Sequence, residues 1–168
     1  MILAYHVIFG TYGFWLPNDP RGSWSDFVGA WELVRFSKAT KTSQRRSVAH
    51  VPHDRHLREE AKRALKYPPV VFSGRQALAV SVGFDHARGE SGYVIHACSI
   101  LPEHVHLVIG RSEERRVERM VGHLKARSTQ QLSAAGLWPA DKRPVWGENM
   151  WKVFLDASAE IDDAVKYV

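Results

Sequence analysis

Cysteine is nearly absent from this sequence: Cys98 is the only one in 168 residues. That excludes a disulfide framework and a cysteine-built zinc site, and it is the usage expected of a reducing cytoplasm. No apolar run approaches the ~20 residues that a membrane-spanning helix needs. The N-terminal stretch MILAYHVIFGTYGF lacks the basic n-region and the cleavage site of a secretory leader. Internal repeats and low-complexity tracts are missing as well. The expectation is a cytoplasmic protein without a membrane partner.

What is present is ordinary for a globular chain: 45% apolar and 24% charged residues, enough for one domain over 1–168 with a real core. The charge balance is +5, with nine histidines uncounted. A basic balance points to an anionic partner, most often nucleic acid, although a basic protein without such a partner fits the same number. The surplus is concentrated in a basic insertion at about 35–66, where ten Lys or Arg face Asp54, Glu59 and Glu60. This segment could wrap DNA through phosphate contacts. Trp15, Trp24 and Trp31 beside it could stack on unpaired bases at ~1–3 kcal/mol per base, or simply cover a sheet edge. His50, His53 and His56 recur every third residue, but among loop signals and without cysteine, so a chance cluster is the simpler reading.

Periodicity sketches the elements. Leu3 to Phe9 alternates as a strand, followed by a Gly- and Pro-rich loop. AWELVRF and LREEAKRALK read as helices, the second stopped by Pro68 and Pro69. Ser73 is a plausible N-cap for a helix through RQALAVSVGFDHA, with RGESG a turn. YVIHACSIL and HVHLVIGR form two strands of a hairpin at Pro102 and Glu103. A long helix runs from about Glu113 to Ala134, with Val117, Met120, Val121, Leu124, Ser128 and Leu132 on one stripe. PVW and WKVFLD are short extended segments, and Ser158 N-caps a terminal helix. The order β, α, β, β, α, β, α predicts an α+β sandwich with helices on one face of an antiparallel sheet.

Inside the stretch LPEHVHLVIGR, His104 and His106 sit at i and i+2 of a strand and therefore face one way, about 7 Å apart at Cα from a rise of ~3.3 Å per residue. Such a pair can converge on a cation; by spacing alone, two histidines lining a polar face without metal fit better. A metallohydrolase pattern of the H-x-H-x-D-H kind is excluded, since Val108 follows two residues after His106.

LPEHVHLVIG resembles the signature of the HUH single-tyrosine transposases, the class found in small insertion sequences and among the REP-associated tyrosine transposases. Other stretches match in order: AYHVIFGTYGFWLP the first strand, VGHLKARSTQQL the long helix with its Leu-Lys element, and PVWGENMWKVFLDASAEIDDAVKYV the Trp-containing strand and terminal helix. The match covers most of the chain outside about 35–56. The resemblance implies a ferredoxin-like α+β fold with a C-terminal helix carrying the tyrosine. It also implies a metal-dependent endonuclease and strand transferase acting on single-stranded, hairpin-forming DNA. In such an enzyme His104 and His106 hold Mg²⁺ or Mn²⁺, and Tyr167 forms a 5′-phosphotyrosine bond. Insertion-sequence members share the site across a homodimer, whereas REP-associated members act as monomers.

Helix geometry bears on Tyr167 independently. Ile161, Ala164, Val165 and Val168 make the apolar stripe, and Tyr167 lies roughly 110° from its centre, on the side of Glu160 and Asp163. It is therefore not a core residue of that helix, though an ordinary interfacial tyrosine would satisfy the same pattern. A phenol with a pKa near ~10 needs help to attack at neutral pH, and a nearby cation supplies it. Many family members carry a metal-binding Gln or Asn one turn after the tyrosine; this chain stops at Val168, so either Asp163, Glu160 or His96 substitutes, or the copy is truncated or decayed with poor metal affinity. On the long helix, Arg116, Arg119, His123 and Arg127 share a flank and Lys125 lies on the other. A basic flank beside a metal site suits a phosphate backbone, Lys125 gains weight from the family's Leu-Lys element, and a solvated helix face is the alternative. The rival function is a decayed or domesticated module that grips hairpin DNA without cutting it.

Overall fold

The computed structural model describes residues 1–17, 31–36, 52, 54–139 and 143–168. Most of the basic insertion, with Trp24, His50 and His53, lies outside the described residues, as do the side chain of Trp31 and its proposed stacking role. Four strands form one antiparallel sheet: β1 (Ala4–Thr11), β2 (Ile95–Ile100), β3 (His104–Gly110) and β4 (Trp146–Leu155), in the spatial order β2-β3-β1-β4. With α2 (Gly74–Ser91) between β1 and β2 and α3 (Val117–Ala134) between β3 and β4, this is the expected ferredoxin-like α+β arrangement.

The alternation of β1 and β3 assigns the two faces of the sheet. Val7, Phe9, Val105, Leu107 and Ile109 point one way and are fully buried against α2 and α3. The stripe read on α3 is its buried face: Val117, Met120, Val121, Leu124, Ser128 and Leu132. Helix α2 meets α3 closely at Gly83, where a Cβ would lie 2.4 Å from the Ser128 Cα; only glycine permits that crossing.

Helix α4 (Ser158–Tyr167) covers part of the opposite face. Its Ile161 and Ala164, with Val168 just beyond, pack on Ala4, Val108, Val153 and Leu155. The shorter helix α1 (Arg55–Arg63) is N-capped by Asp54, whose carboxylate accepts the Leu57 N–H at 3.0 Å. It closes a satellite cluster of Leu16, Leu33, Phe36 and Ala61.

Several boundaries differ from the sequence reading, each for a local reason. Helix α2 absorbs RGES and stops only at Gly92, which adopts φ 65. Its start is as expected: Ser73 and Gln76 form a reciprocal capping box. Helix α3 begins at Val117 rather than Glu113, because the Ser112 hydroxyl accepts the N–H groups of Glu114 and Arg115 and holds them as a turn. PVW and WKVFLD belong to a single approach, with β4 continuous from Trp146 because it pairs with β1 along its length, across one register shift between Phe9 and Thr11. The short helix read in AWELVRF is present as a 3₁₀ helix over Trp31–Phe36. The cap of α4 is Ala157, not Ser158: Glu160 reaches back, its Oε2 accepting the N–H groups of Asp156 at 2.7 Å and Ala157 at 3.3 Å.

Candidate active site

On the face opposite the core, β1 presents His6, Ile8 and Gly10, and β3 presents His104, His106 and Val108. The register pairs His6 with Val108, Ile8 with His106 and Gly10 with His104. His104 and His106 do converge: their Nε2 atoms are 3.1 Å apart. On the other side of the His106 ring, its Nδ1 lies 3.3 Å from the His6 Nε2. Three imidazoles thus form a chain across two strands.

Aromatic side chains wall this chain in. Phe14 stacks on His104 with ring centroids 4.7 Å apart and planes 21° apart. It can lie there because Gly10, opposite His104, has no Cβ; a Cβ would meet Phe14 Cδ1 at 2.5 Å. The Trp151 ring meets His6 edge-on at 5.6 Å. Tyr167, from α4, stands edge-on to both His6 (5.7 Å) and His106 (5.6 Å). The residue is 68% exposed, so it touches the histidines while remaining open to a ligand from solvent.

Burial sets the charge of the cluster. Desolvation, helped by the neighbouring His106, pushes His6 down to about 4, and desolvation also lowers His106. These two rings are neutral near pH 7, the form in which imidazole ligates metal. Two nitrogens about 2.1 Å from one cation and at right angles to each other lie about 3 Å apart, so the His104–His106 spacing fits a divalent ion. Among the described residues no group of three or more His, Cys, Asp or Glu converges in a metal-holding arrangement. The other positions around an ion held by this pair would fall to water and to a phosphate ligand, as is usual for Mg²⁺.

The two carboxylates considered as third ligands have other partners. Glu160 is engaged in capping α4, and Asp163, whose side chain is 79% exposed, pairs with Lys166 at 3.2 Å. His96 is on β2 beside Gly110, at the far end of β3 from His104.

The α3 residues divide. Arg116 and Arg119 are exposed at the start of the helix. The His123 Nε2–H donates to the Glu90 carboxylate (3.2 Å) and its Nδ1 lies 3.2 Å from the Tyr93 hydroxyl, while Arg127 pairs with Glu90 and Gln130, so both are drawn toward the end of α2. The Lys125 amine donates to the Gly147 carbonyl at 2.7 Å and sits over the Phe9 ring at 5.3 Å. Phe9 is on the core face, so Lys125 lies on the opposite side of the sheet from the histidines. Burial lowers it to about 8, against a smaller opposing effect of Glu148.

Sequence reasoning missed His6, Phe14 and Trp151. The signal for His6 was a lone imidazole in an alternating strand, in step with Gly10; that it would meet His106 depends on the pairing of strands about a hundred residues apart.

Comparison with known proteins shows what the chain is similar to. Residues 64–160 match the family model described as IS200-like transposase, a span that includes His104 and His106 but not His6 or Tyr167. The ISDra2 transposase TnpA of Deinococcus radiodurans is 25% identical over 87 residues, 52% of this chain and 61% of that protein. The chain thus spans about three-fifths of the length of that curated relative. A crystal structure of a protein provisionally assigned as a transposase, from Deinococcus radiodurans, shares the fold with a TM-score of 0.52 at 14% identity, covering 99% of this chain and 91% of the other.

Proposed function

The chain belongs to the family of IS200-like transposases, and on that footing we propose that it is an HUH single-tyrosine DNA endonuclease and strand transferase. The observation that carries this reading is the position of Tyr167 against His106, 5.6 Å between ring centroids, on a face where His104 and His106 bring two nitrogens to 3.1 Å. Single-stranded DNA beside a hairpin is the proposed substrate, with the +5 charge balance in its favour.

In the proposed reaction the Tyr167 Oη bonds to phosphorus, the phenolic proton is lost, and the bond to the 3′ oxygen breaks. That oxygen takes up a proton from solvent, which has received the phenolic one, and leaves as a 3′-hydroxyl, while the 5′ phosphate of the downstream fragment stays on the tyrosine. Attack by another 3′-hydroxyl reverses the step, so rejoining needs no external energy source. Mg²⁺ or Mn²⁺ held by His104 and His106 would polarise the scissile phosphate and stabilise the charge developing on it. Phe14 and Trp151 flank the imidazoles and exclude water from the rings they cover. Among the described residues no helix is long and apolar enough to cross a membrane.

The test is covalent capture. The protein is incubated with Mn²⁺ and hairpin-bearing single-stranded DNA labelled at the 5′ or the 3′ end, then run on a denaturing gel. An adduct carrying the 3′-labelled fragment, lost in Tyr167→Phe and in His104→Ala, is the expected result. Tight, salt-dependent hairpin binding with no adduct would replace this reading with a DNA-binding module that does not cut.

A further inference from the structure

We infer that His6 is a positioning residue for metal binding: it accepts the Nδ1–H of His106 and so keeps the His106 Nε2 bare on the side shared with His104. The inference rests on the proposed role of His104 and His106 as ligands. It concerns which of two proton arrangements the imidazole chain adopts.

The contact is a directed hydrogen bond. The His6 and His106 centroids are 5.6 Å apart, which is the 3.3 Å nitrogen–nitrogen gap plus one ring radius on either side. With planes only 26° apart, the rings therefore meet edge to edge rather than face to face. Sheet register builds this contact. His6 is diagonal to His106, since Ile8 stands opposite His106 and Val108 opposite His6, and a diagonal pair is within reach of long side chains. His6 is itself fixed: it is 8% exposed and held by the edges of Trp151 and Tyr167.

Direction decides function. If His6 donated, a neutral His106 would carry its proton on Nε2, aimed at the His104 Nε2 3.1 Å away. One of the two lone pairs needed for a cation would then be blocked. If His6 accepts, the lone pair of the His106 Nε2 stays available on the side shared with His104. Ligating histidines ordinarily donate their second N–H to a carboxylate, carbonyl or water, which orients the ring and fixes its tautomer. Here a neutral imidazole on the neighbouring strand takes that place.

The experiment uses the full chain with ¹⁵N-labelled histidine and ¹¹³Cd²⁺ as the probe. In the metal-free protein, long-range ¹H–¹⁵N spectra should report a protonated Nδ1 and a bare Nε2 on His106. With ¹¹³Cd²⁺, one-bond coupling should appear at the Nε2 of His104 and of His106 and not at His6. His6→Ala should raise the Kd for Cd²⁺ about 10–100-fold. His6→Gln, whose carboxamide oxygen reaches the same place, should recover most of the affinity. A protonated Nε2 on metal-free His106, coupling at His6, or unchanged affinity in His6→Ala with both other couplings intact overturns the positioning role alone. Absence of coupling at both His104 and His106 overturns the metal site itself, and this inference with it.

Discussion

The ring of Tyr167 stands edge-on to that of His106 within one chain, centroids 5.6 Å apart and planes at 66°. The helix that carries the tyrosine is seated on its own sheet by Ile161, Ala164 and Val168. A site assembled in this way would take its proposed nucleophile and its histidines from the same molecule. Mixing Tyr167→Phe protein with His104→Ala protein should therefore give no covalent adduct. Recovery of adduct on mixing would show that the tyrosine helix serves a partner subunit instead.

The carboxylates of α4 should prove dispensable for metal binding. Asp163 is exposed and paired with Lys166, so Asp163→Asn is expected to leave the Mn²⁺ Kd within about twofold. Glu160→Ala should loosen the start of α4, at a cost on the order of 1 kcal/mol for a lost cap, with the Kd equally unmoved. Titration calorimetry with Mn²⁺ separates the two effects. A tenfold loss of affinity in either variant would make that carboxylate a ligand.

Lys125 should reveal itself through pH. Burial takes it from an ordinary 10.5 down to about 8. Between those values the unfolded chain holds a proton that the folded chain has released, so stability rises with pH across the window. Relative to Lys125→Met, the wild type should gain at most about 3 kcal/mol between pH 8 and 10.5. Urea midpoints of both proteins measure this, and parallel curves would mean that the amine is well solvated.

Two glycines of α2 should respond oppositely to alanine. At Gly83 the new Cβ meets the Ser128 Cα at 2.4 Å and the Arg127 carbonyl oxygen at 2.8 Å. Both are backbone atoms that no rotamer change can move. A cost of roughly 1–3 kcal/mol is expected, which lowers Tm by about 2–4 °C per kcal/mol in a domain of this size. Gly89 has nothing within 4 Å of the same position, so Gly89→Ala should stabilise by up to about 1 kcal/mol through helix propensity. Calorimetry on both variants checks the sign.

Among the basic residues of α3, the exposed pair should carry any phosphate contact. Replacing Arg116 and Arg119 by alanine is expected to reduce the slope of log K against log salt by roughly 1.4 for single-stranded DNA. Arg127→Ala should leave the slope unchanged, because that side chain is already paired with Glu90. An equal loss of slope in both would put Arg127 on the DNA as well.

The sequence by itself determined the elements and their faces, because those depend on local periodicity. A period of two sets His104 and His106 together and turns Val105 and Leu107 to the core. A period of 3.6 reproduces the buried stripe of α3 residue for residue, and it sets Tyr167 off the apolar stripe of α4. The family resemblance was legible for the same reason: its motifs are short, local and ordered. Boundaries were less legible where a longer-range partner outweighed local preference, as when pairing with β1 made one strand of β4. Only the tertiary structure decided which side chains surround the histidine pair. His6 joins His106 through the register of β1 against β3. Phe14 reaches His104 over Gly10. Lys125, on the helix that follows the histidine strand, is carried to the other side of the sheet. Each of these contacts spans a pairing or a packing whose partners lie far apart in the chain, and no local pattern encodes that distance.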